Sequence, residues 1–431
     1  MGAFLKKIFP LRSEDWSKAL PLAAFFFLVI STFWILKPMK RGMMINYFSE
    51  SPLYFLGHAF DGAQSEQLGK ALNVIVAYLA VILFTWLVKR FPRHYLVLIF
   101  GVLFSGLFLL YSFLIHNLNA PVVVSFYVLG DIFNTVMVVL FWSFTDDICA
   151  PPEAKRSYGL IGLGGILGGF FGATIVAHNV EVLGRSVLLI SCIAPMLLVI
   201  FLAFIVQRGV VKKTGDKHPA ATPTTTSELW EGAKLVLASR YLLAIAGLIL
   251  VYGIVSNLID FQFASLVEAN IPIELRKDAF FGTIGQITGV FSILIQVFLT
   301  SWVLQRFGVR SALSFLPVAI LVTSFGFFIF PVLGLIAAMS ISDNSMHYSI
   351  NQSAKEVLYT ATSRDAIYKA KAFIDMFLER FAKVISVFFA VGFMLVMGTN
   401  IRWLSLLILV LALFWYVLIV YLGREFRKRA R

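Results

Sequence analysis

Runs of about twenty mostly apolar residues recur along this chain, and they limit what it can fold into. Residues 404–422 read LSLLILVLALFWYVLIVYL, and 20–36 read LPLAAFFFLVISTFWIL. Lipid cannot satisfy exposed backbone groups, so segments this long and this apolar must be helices that cross a membrane. A β-barrel would show alternating segments of about ten residues, and none appear. Charged residues make up 14% of the chain, against about 25% in a soluble domain. The fold class is therefore an all-α integral membrane protein.

Twelve transmembrane helices are expected, near 19–47, 71–88, 94–116, 121–148, 157–178, 186–206, 241–267, 279–304, 311–332, 334–360, 372–397 and 403–422. The leading MGAFLKKIFPLRSEDWSK lacks the apolar core and small-residue site of a cleaved signal, and reads as a short interfacial helix. Cytoplasmic loops carry the excess Lys and Arg of membrane proteins. With both termini inside, 25 of the 36 basic residues fall in inner segments. Five fall outside: Lys70, Arg185, Arg276, Lys277 and Arg402. This asymmetry implies a multi-pass protein of the cytoplasmic (inner) membrane with both termini cytoplasmic. It also accounts for the net charge of +13 through membrane lipid headgroups, with no nucleic acid as partner.

The chain repeats itself. WLVKRFPR at 86–93 and WVLQRFGVR at 302–310 share W-x-x-x-R-F, each after an apolar span, at an offset of about half the chain. Between the halves, VKKTGDKHPAATPTTTSE reads as a linker, and Thr225-x-x-Glu228 as the cap of a short amphipathic helix. The expected division is 1–206 for an N-terminal six-helix half, 207–240 for a cytoplasmic linker and 241–431 for a C-terminal half with a basic tail. Two six-helix halves joined by a long loop resemble the major facilitator architecture.

Ionisable groups inside spans are costly, so they line a cavity or pair with one another. Lys37, Lys40 and Arg41 share one helix face at i, i+3, i+4. That face either lines a cavity or marks the outer membrane boundary. Asp131, Asn257, Asp260, Asp343 and His347 are the other candidate substrate-binding residues. Asp131 is expected to pair with a cation of the first helix. Asp146, Asp147, Lys155 and Arg156, with Lys355, Glu356, Asp375, Glu379, Arg380 and Lys383, read as ion-pair and gating clusters. Gly164, Gly168 and Gly172 stand at i+4 steps and read as a helix-packing stripe. GAQSEQLGK at 62–70 has the wrong spacing and context for a phosphate loop. Cys149 and Cys192 read as buried small residues, and neither a metal-ligand cluster nor a catalytic triad is visible.

DIFNTVMVVLFWSFTDDICAPPEAKRSYGLIG, SRYLLAIAGLILVYGIVSNLID, AKEVLY and KAKAFIDMFLERFAK resemble segments of the ATP/ADP translocase family of plastids and intracellular bacteria. The resemblance implies a twelve-helix carrier that exchanges nucleotides by alternating access, needs no cofactor and is not an enzyme. It carries Lys40, Asp131, Asp260, Lys355 and Glu356 onto charged positions of that family. The chain departs from the family pattern at Lys37-Pro38-Met39-Lys40-Arg41, which loses two aspartates, and at Ala264, Asn344, His347 and Gln352-Ser353. The expected partner is a small anionic substrate, a nucleotide or another phosphorylated anion, handled by a monomer. A divergent carrier of a lipid or metabolite, proton-coupled through Asp131, Asp260 or His347, and a non-transporting membrane receptor remain open alternatives.

Overall fold

The described residues fold almost entirely into helices. The structure is a computed structural model that describes residues 15–55, 57–149, 151–213, 226–359, 361–362, 370–371, 373–374, 378–397 and 400–429. The expected interfacial helix ahead of residue 15, residues 214–225 of the expected linker with the cap Thr225, and Asp375 lie outside these residues.

The helices are α1 (Trp16–Glu50), α2 (Gly62–Arg90), α3 (Arg93–Leu114), α4 (Ala120–Ile148), α5 (Pro151–Ser191), α6 (Ile193–Lys213) and α7 (Thr226–Ala238). They continue with α8 (Arg240–Asn270), α9 (Glu274–Leu294), α10 (Ser301–Ile329), α11 (Leu333–Met346), α12 (Gln352–Tyr359), α13 (Glu379–Met397) and α14 (Leu404–Arg429). Among the described residues, nine helical runs are long and apolar enough to cross a membrane. Large apolar side chains point outward: Phe298 is 71% and Phe388 73% exposed, which suits lipid and not water.

Two long runs contain a break. Gly184 adopts φ 75, ψ 168 inside α5, and Gly308 φ 77, ψ 177 inside α10. Both conformations lie in a region that costs a side chain dearly, so glycine ends the helix there. Both breaks fall in gaps that the sequence leaves between spans. In the two W-x-x-x-R-F segments the helix breaks beside the Phe, after Arg90 with Pro92 following in one and at Gly308 in the other.

One small element was not legible as such. Leu53–Phe55 (β1) pairs antiparallel with His58–Phe60 (β2), Leu53 opposite Phe60, with Gly57 at φ 79 in the turn. α2 also begins earlier than expected, at Gly62, and α9 at Glu274.

By contacts the chain divides into two compact units, neither a single stretch of sequence. The first comprises residues 1–47, 75–223 and 273–289; the second comprises 48–74, 224–272 and 290–431. In the first unit, α1 lies on α5 along the glycine stripe. A Cβ at Gly164, Gly168 or Gly172 would collide with the carbonyl oxygen of Ala23, Phe27 or Ser31, so two i+4 rows run in register. Phe26 stacks on Phe141 at 4.5 Å and Phe25 meets the same ring edge-on at 5.1 Å, fixing α4 against α1. In the second unit α8 is the central helix, packed by α7, α11, α13 and α14. The buried Gln262 amide of α8 donates to Ile401 O at 2.9 Å and to Ser405 Oγ at 3.0 Å. Tyr241 donates to Leu358 O at 2.7 Å.

The glycine stripe yields a prediction. Gly168→Ala should lower thermal stability in detergent by roughly 1–3 kcal/mol, the usual cost of overpacking a closed contact. Gly162→Ala, where a Cβ would meet nothing within 4 Å, should leave the melting temperature within error. Equal melting temperatures for both variants would remove the close-approach account of α1 and α5.

Candidate functional site

In the first unit, charge gathers at the far end of α1. Pro38 lies inside that helix and cannot donate to the carbonyl of Trp34, one turn earlier. Just past it, Lys40 is buried and forms an ion pair with Asp131 of α4, its Nζ also 4.3 Å from the Tyr127 ring centroid. A Cβ at Gly130 would come within 2.8 Å of the Lys40 side chain, so this glycine leaves the lysine its path to Asp131. The expected pairing of Asp131 with a first-helix cation is therefore present. The neighbouring cations also sit on aromatic faces: Lys37 Nζ is 4.3 Å from the Trp34 ring, and the Arg41 guanidinium 4.6 Å from that of Phe281.

A second charged group in this unit sits beside the break at Gly184. Arg185 was counted as an outer-loop residue, yet it is buried, paired with Glu274 and forked onto Asp278. Its Nε and Nη2 donate to the two Asp278 oxygens at 2.6 and 3.1 Å, the bidentate arrangement that makes arginine–carboxylate pairs strong. A Cβ at Gly42 would collide with Asp278, so α1 comes close to this pair only because residue 42 is glycine. Lys277, also counted outside, is buried and donates to Asn46 Oδ1 at 3.0 Å.

The cluster at the α4–α5 connection reaches for partners outside itself. Arg93 lies 3.2 Å from Asp147, Arg156 forks onto Asp15 at 2.8 and 3.0 Å, and Lys18 lies 2.9 Å from Glu153. Asp146 is exposed and accepts a hydrogen bond from Tyr158 at 2.7 Å. The side chain of Lys155 lies outside the described residues.

In the second unit, Asp260 of α8 pairs with Lys70. Lys70 is a correction: it lies within α2, not in a loop, and Glu66 stands 3.9 Å away one turn earlier. The N-terminus of α2 is closed by acids. The backbone N–H groups of Gly62 and Ala63 donate to Glu268 at 3.0 and 2.7 Å. Asp61 and Gln64 form a reciprocal capping box at 2.9 and 3.3 Å. The stretch GAQSEQLGK thus presents its helix N-terminus to this chain's own carboxylates. Ser49 also hydrogen-bonds to Glu268.

The remaining expected residues fall into two places. Asp343 is buried and accepts from Ser256 Oγ at 2.6 Å. His347 opens a π-helical turn, His347–Asn351, and stacks on Tyr252 at 4.5 Å. Asn257 donates to Gly253 O of its own helix at 2.7 Å. Lys355 lies 3.7 Å from Glu379, and Glu356 2.7 Å from Lys371, so this charge cluster pairs between α12 and the segment that leads through α13. Arg380 is half-buried and Lys383 exposed. Cys149 and Cys192 are free and buried.

Residues 122–426 match a family described as TLC ATP/ADP transporter. The chain belongs to this family. It is 28% identical to the plastidic ATP/ADP-transporter of Solanum tuberosum over 58% of this chain and 44% of that one. It is 27% identical to ADP,ATP carrier protein 1 of Chlamydia muridarum (strain MoPn / Nigg) over 60% of this chain and 56% of that one. The chain spans about half the length of these relatives. In fold it is similar to the POT family transporter PepTSo, with a TM-score of 0.68 at 11% identity over 95% of this chain and 98% of that one. It is a multi-pass membrane protein of the major-facilitator-like fold.

Two predictions follow from the charges. Asp131→Asn leaves Lys40 buried beside a neutral group, and Lys40→Met leaves the carboxylate. Each single change should destabilise more than the double change, with a coupling of roughly 0.5–3 kcal/mol in a double-mutant cycle of thermal unfolding. Additive losses would mean that the pair does not act as a unit. Asp61, just ahead of α2, has its pKa raised from 3.8 to about 6 by burial first and the Glu268 carboxylate second, with the Gln64 N–H opposing. The folded state therefore holds this proton more tightly than the unfolded chain, and stability falls as pH rises from about 4 to about 6. Asp61→Asn keeps the cap acceptor and removes the repulsion. Its melting-temperature advantage over wild type should grow through that window and level off above it; an advantage independent of pH would refute the assignment.

Proposed function

We propose that this chain is an alternating-access carrier, not an enzyme, exchanging ATP- and ADP-like nucleotides or another phosphorylated anion across a bacterial-type inner membrane. The reading includes twelve spans, cytoplasmic termini and a monomeric carrier. The observation that carries it is the cationic end of α1, where Lys37, Lys40 and Arg41 each lie against an aromatic ring and Lys40 is buried against Asp131. Fixed cations in a low-dielectric surrounding attract an anion, and aromatic faces beside them suit a ligand with both phosphate and ring. Membership of an ATP/ADP transporter family, and the relatives named for ATP and ADP, support nucleotides as that anion. Asp131 holds Lys40 until a phosphate competes for it, and a substrate that makes this contact in one state and not the other shifts the carrier between them.

Proteoliposomes loaded with ADP should take up labelled ATP, and empty ones should not. Lys40→Ala should weaken apparent affinity by about 10- to 150-fold, the worth of one charge-assisted contact, and Lys40→Arg by less. Uptake independent of internal nucleotide would overturn exchange, and unchanged affinity in Lys40→Ala would remove α1 from the substrate path.

A further inference from the structure

The second W-x-x-x-R-F motif and the charged end of α14 have no part in the carrier reading, and they lie together in the second unit. A Cβ at Gly423 of α14 would come within 2.6 Å of the Arg310 side chain, so glycine there lets α10 rest its arginine on α14. From that contact α14 runs straight into REFRKR at 424–429, where Arg424, Arg427, Lys428 and Arg429 are all exposed. Glu425 is the one acid in that segment and is held by Lys428 at 2.8 Å, which leaves the segment strongly positive. The end of α14 also meets the start of α8: the Arg429 guanidinium lies 4.6 Å from the Tyr241 ring, next to the exposed Arg240. Arg306, the arginine of the motif, is exposed as well.

Aromatic rings accompany these cations. Trp302 and Phe307 of the motif meet edge-on at 5.2 Å and are each 49% exposed, and Tyr421 is exposed one turn before Arg424. Exposed apolar side chains continue along the same two helices at Val318, Phe414 and Val417. The first copy of the motif engages its cations internally: the Arg90 guanidinium covers the Trp86 ring at 4.5 Å, and Arg93 pairs with Asp147.

We infer that the meeting of α8, α10 and α14 is a binding site for an anionic phospholipid. Its phosphate is held by the arginines, and its acyl chains lie along the apolar sides of α10 and α14. The site is independent of the nucleotide-carrier reading. Guanidinium groups fork onto phosphate oxygens, and tryptophan and tyrosine favour the level of the headgroups. A general excess of cations in the loops selects no lipid. Here three helices distant in sequence bring theirs to one place, as basic pockets between spanning helices do. Inorganic phosphate would answer the arginines alone, whereas a phospholipid also covers the exposed rings and chains.

The test is native mass spectrometry of the full chain in detergent with dioleoylphosphatidylglycerol or dioleoylphosphatidylcholine. Wild type should prefer phosphatidylglycerol by about tenfold or more. The triple variant Arg306→Gln, Arg424→Gln, Arg427→Gln changes only exposed side chains. Each cation near a headgroup is worth about fivefold, so this variant should lose at least tenfold in affinity for phosphatidylglycerol and bind phosphatidylcholine as before. A control triple, Arg90→Gln, Arg208→Gln, Arg276→Gln, removes the same charge from exposed positions of the first unit and should change either affinity by less than about threefold. No preference in wild type, or equal losses in the two triples, would overturn the site in favour of unspecific attraction. Displacement of bound phosphatidylglycerol by excess inorganic phosphate or ATP would overturn the lipid assignment in favour of a soluble anion.

Discussion

A charge inside hydrocarbon must find a partner or leave. An unpaired ammonium or carboxylate at the centre of a bilayer costs roughly 2.5–3.5 kcal/mol even by the mildest scales. The interior of this protein is arranged around that constraint. Lys40 lies against Asp131, Lys70 against Asp260 and Arg185 against Asp278, each pair joining helices distant in sequence. These contacts hold helices in register as apolar packing cannot, because a lipid tail competes with a leucine but not with a carboxylate.

Pairing at depth demands room, and the chain supplies it with glycine at chosen places. Gly130 lets Lys40 pass to Asp131, and Gly42 lets α1 approach Asp278. Along α5, Gly164, Gly168 and Gly172 bring the backbone against α1, which carries the three cations. The packing stripe and the charged end of α1 are thus two parts of one device: the first fixes the helix whose position the second depends on.

The helical membrane class and the family were legible in the sequence because each rests on local pattern: apolar runs, and motifs spread along the chain. The partner of Asp131 was legible too, since no other candidate helix carried so many cations. Lys70 and Lys277 were misread for one shared reason. Span edges were drawn where hydropathy rises, whereas α2 and α9 begin earlier, on polar residues. A signal was there for α2: Asp61 followed three residues later by Gln64 is a capping box, which puts Lys70 inside the helix and on the face of Glu66. No local pattern announced that Glu268 would close the α2 N-terminus or that Asp260 would pair with Lys70. Those depend on which helices fold against one another, and one sequence without its relatives does not say that.

On the proposed carrier reading, the ion pairs also bear on how tightly such a protein would hold an anion. A phosphate that reaches Lys40 must displace Asp131, so the affinity gained is the difference between two strong contacts and not the strength of one. The same subtraction makes release possible, since Asp131 is in place to reclaim the lysine when the substrate leaves. A chain with Lys40 alone would bind an anion more tightly and give it up more slowly. An exchanger of the kind proposed works by turnover, and for it the buried carboxylate would be as necessary as the cation it holds.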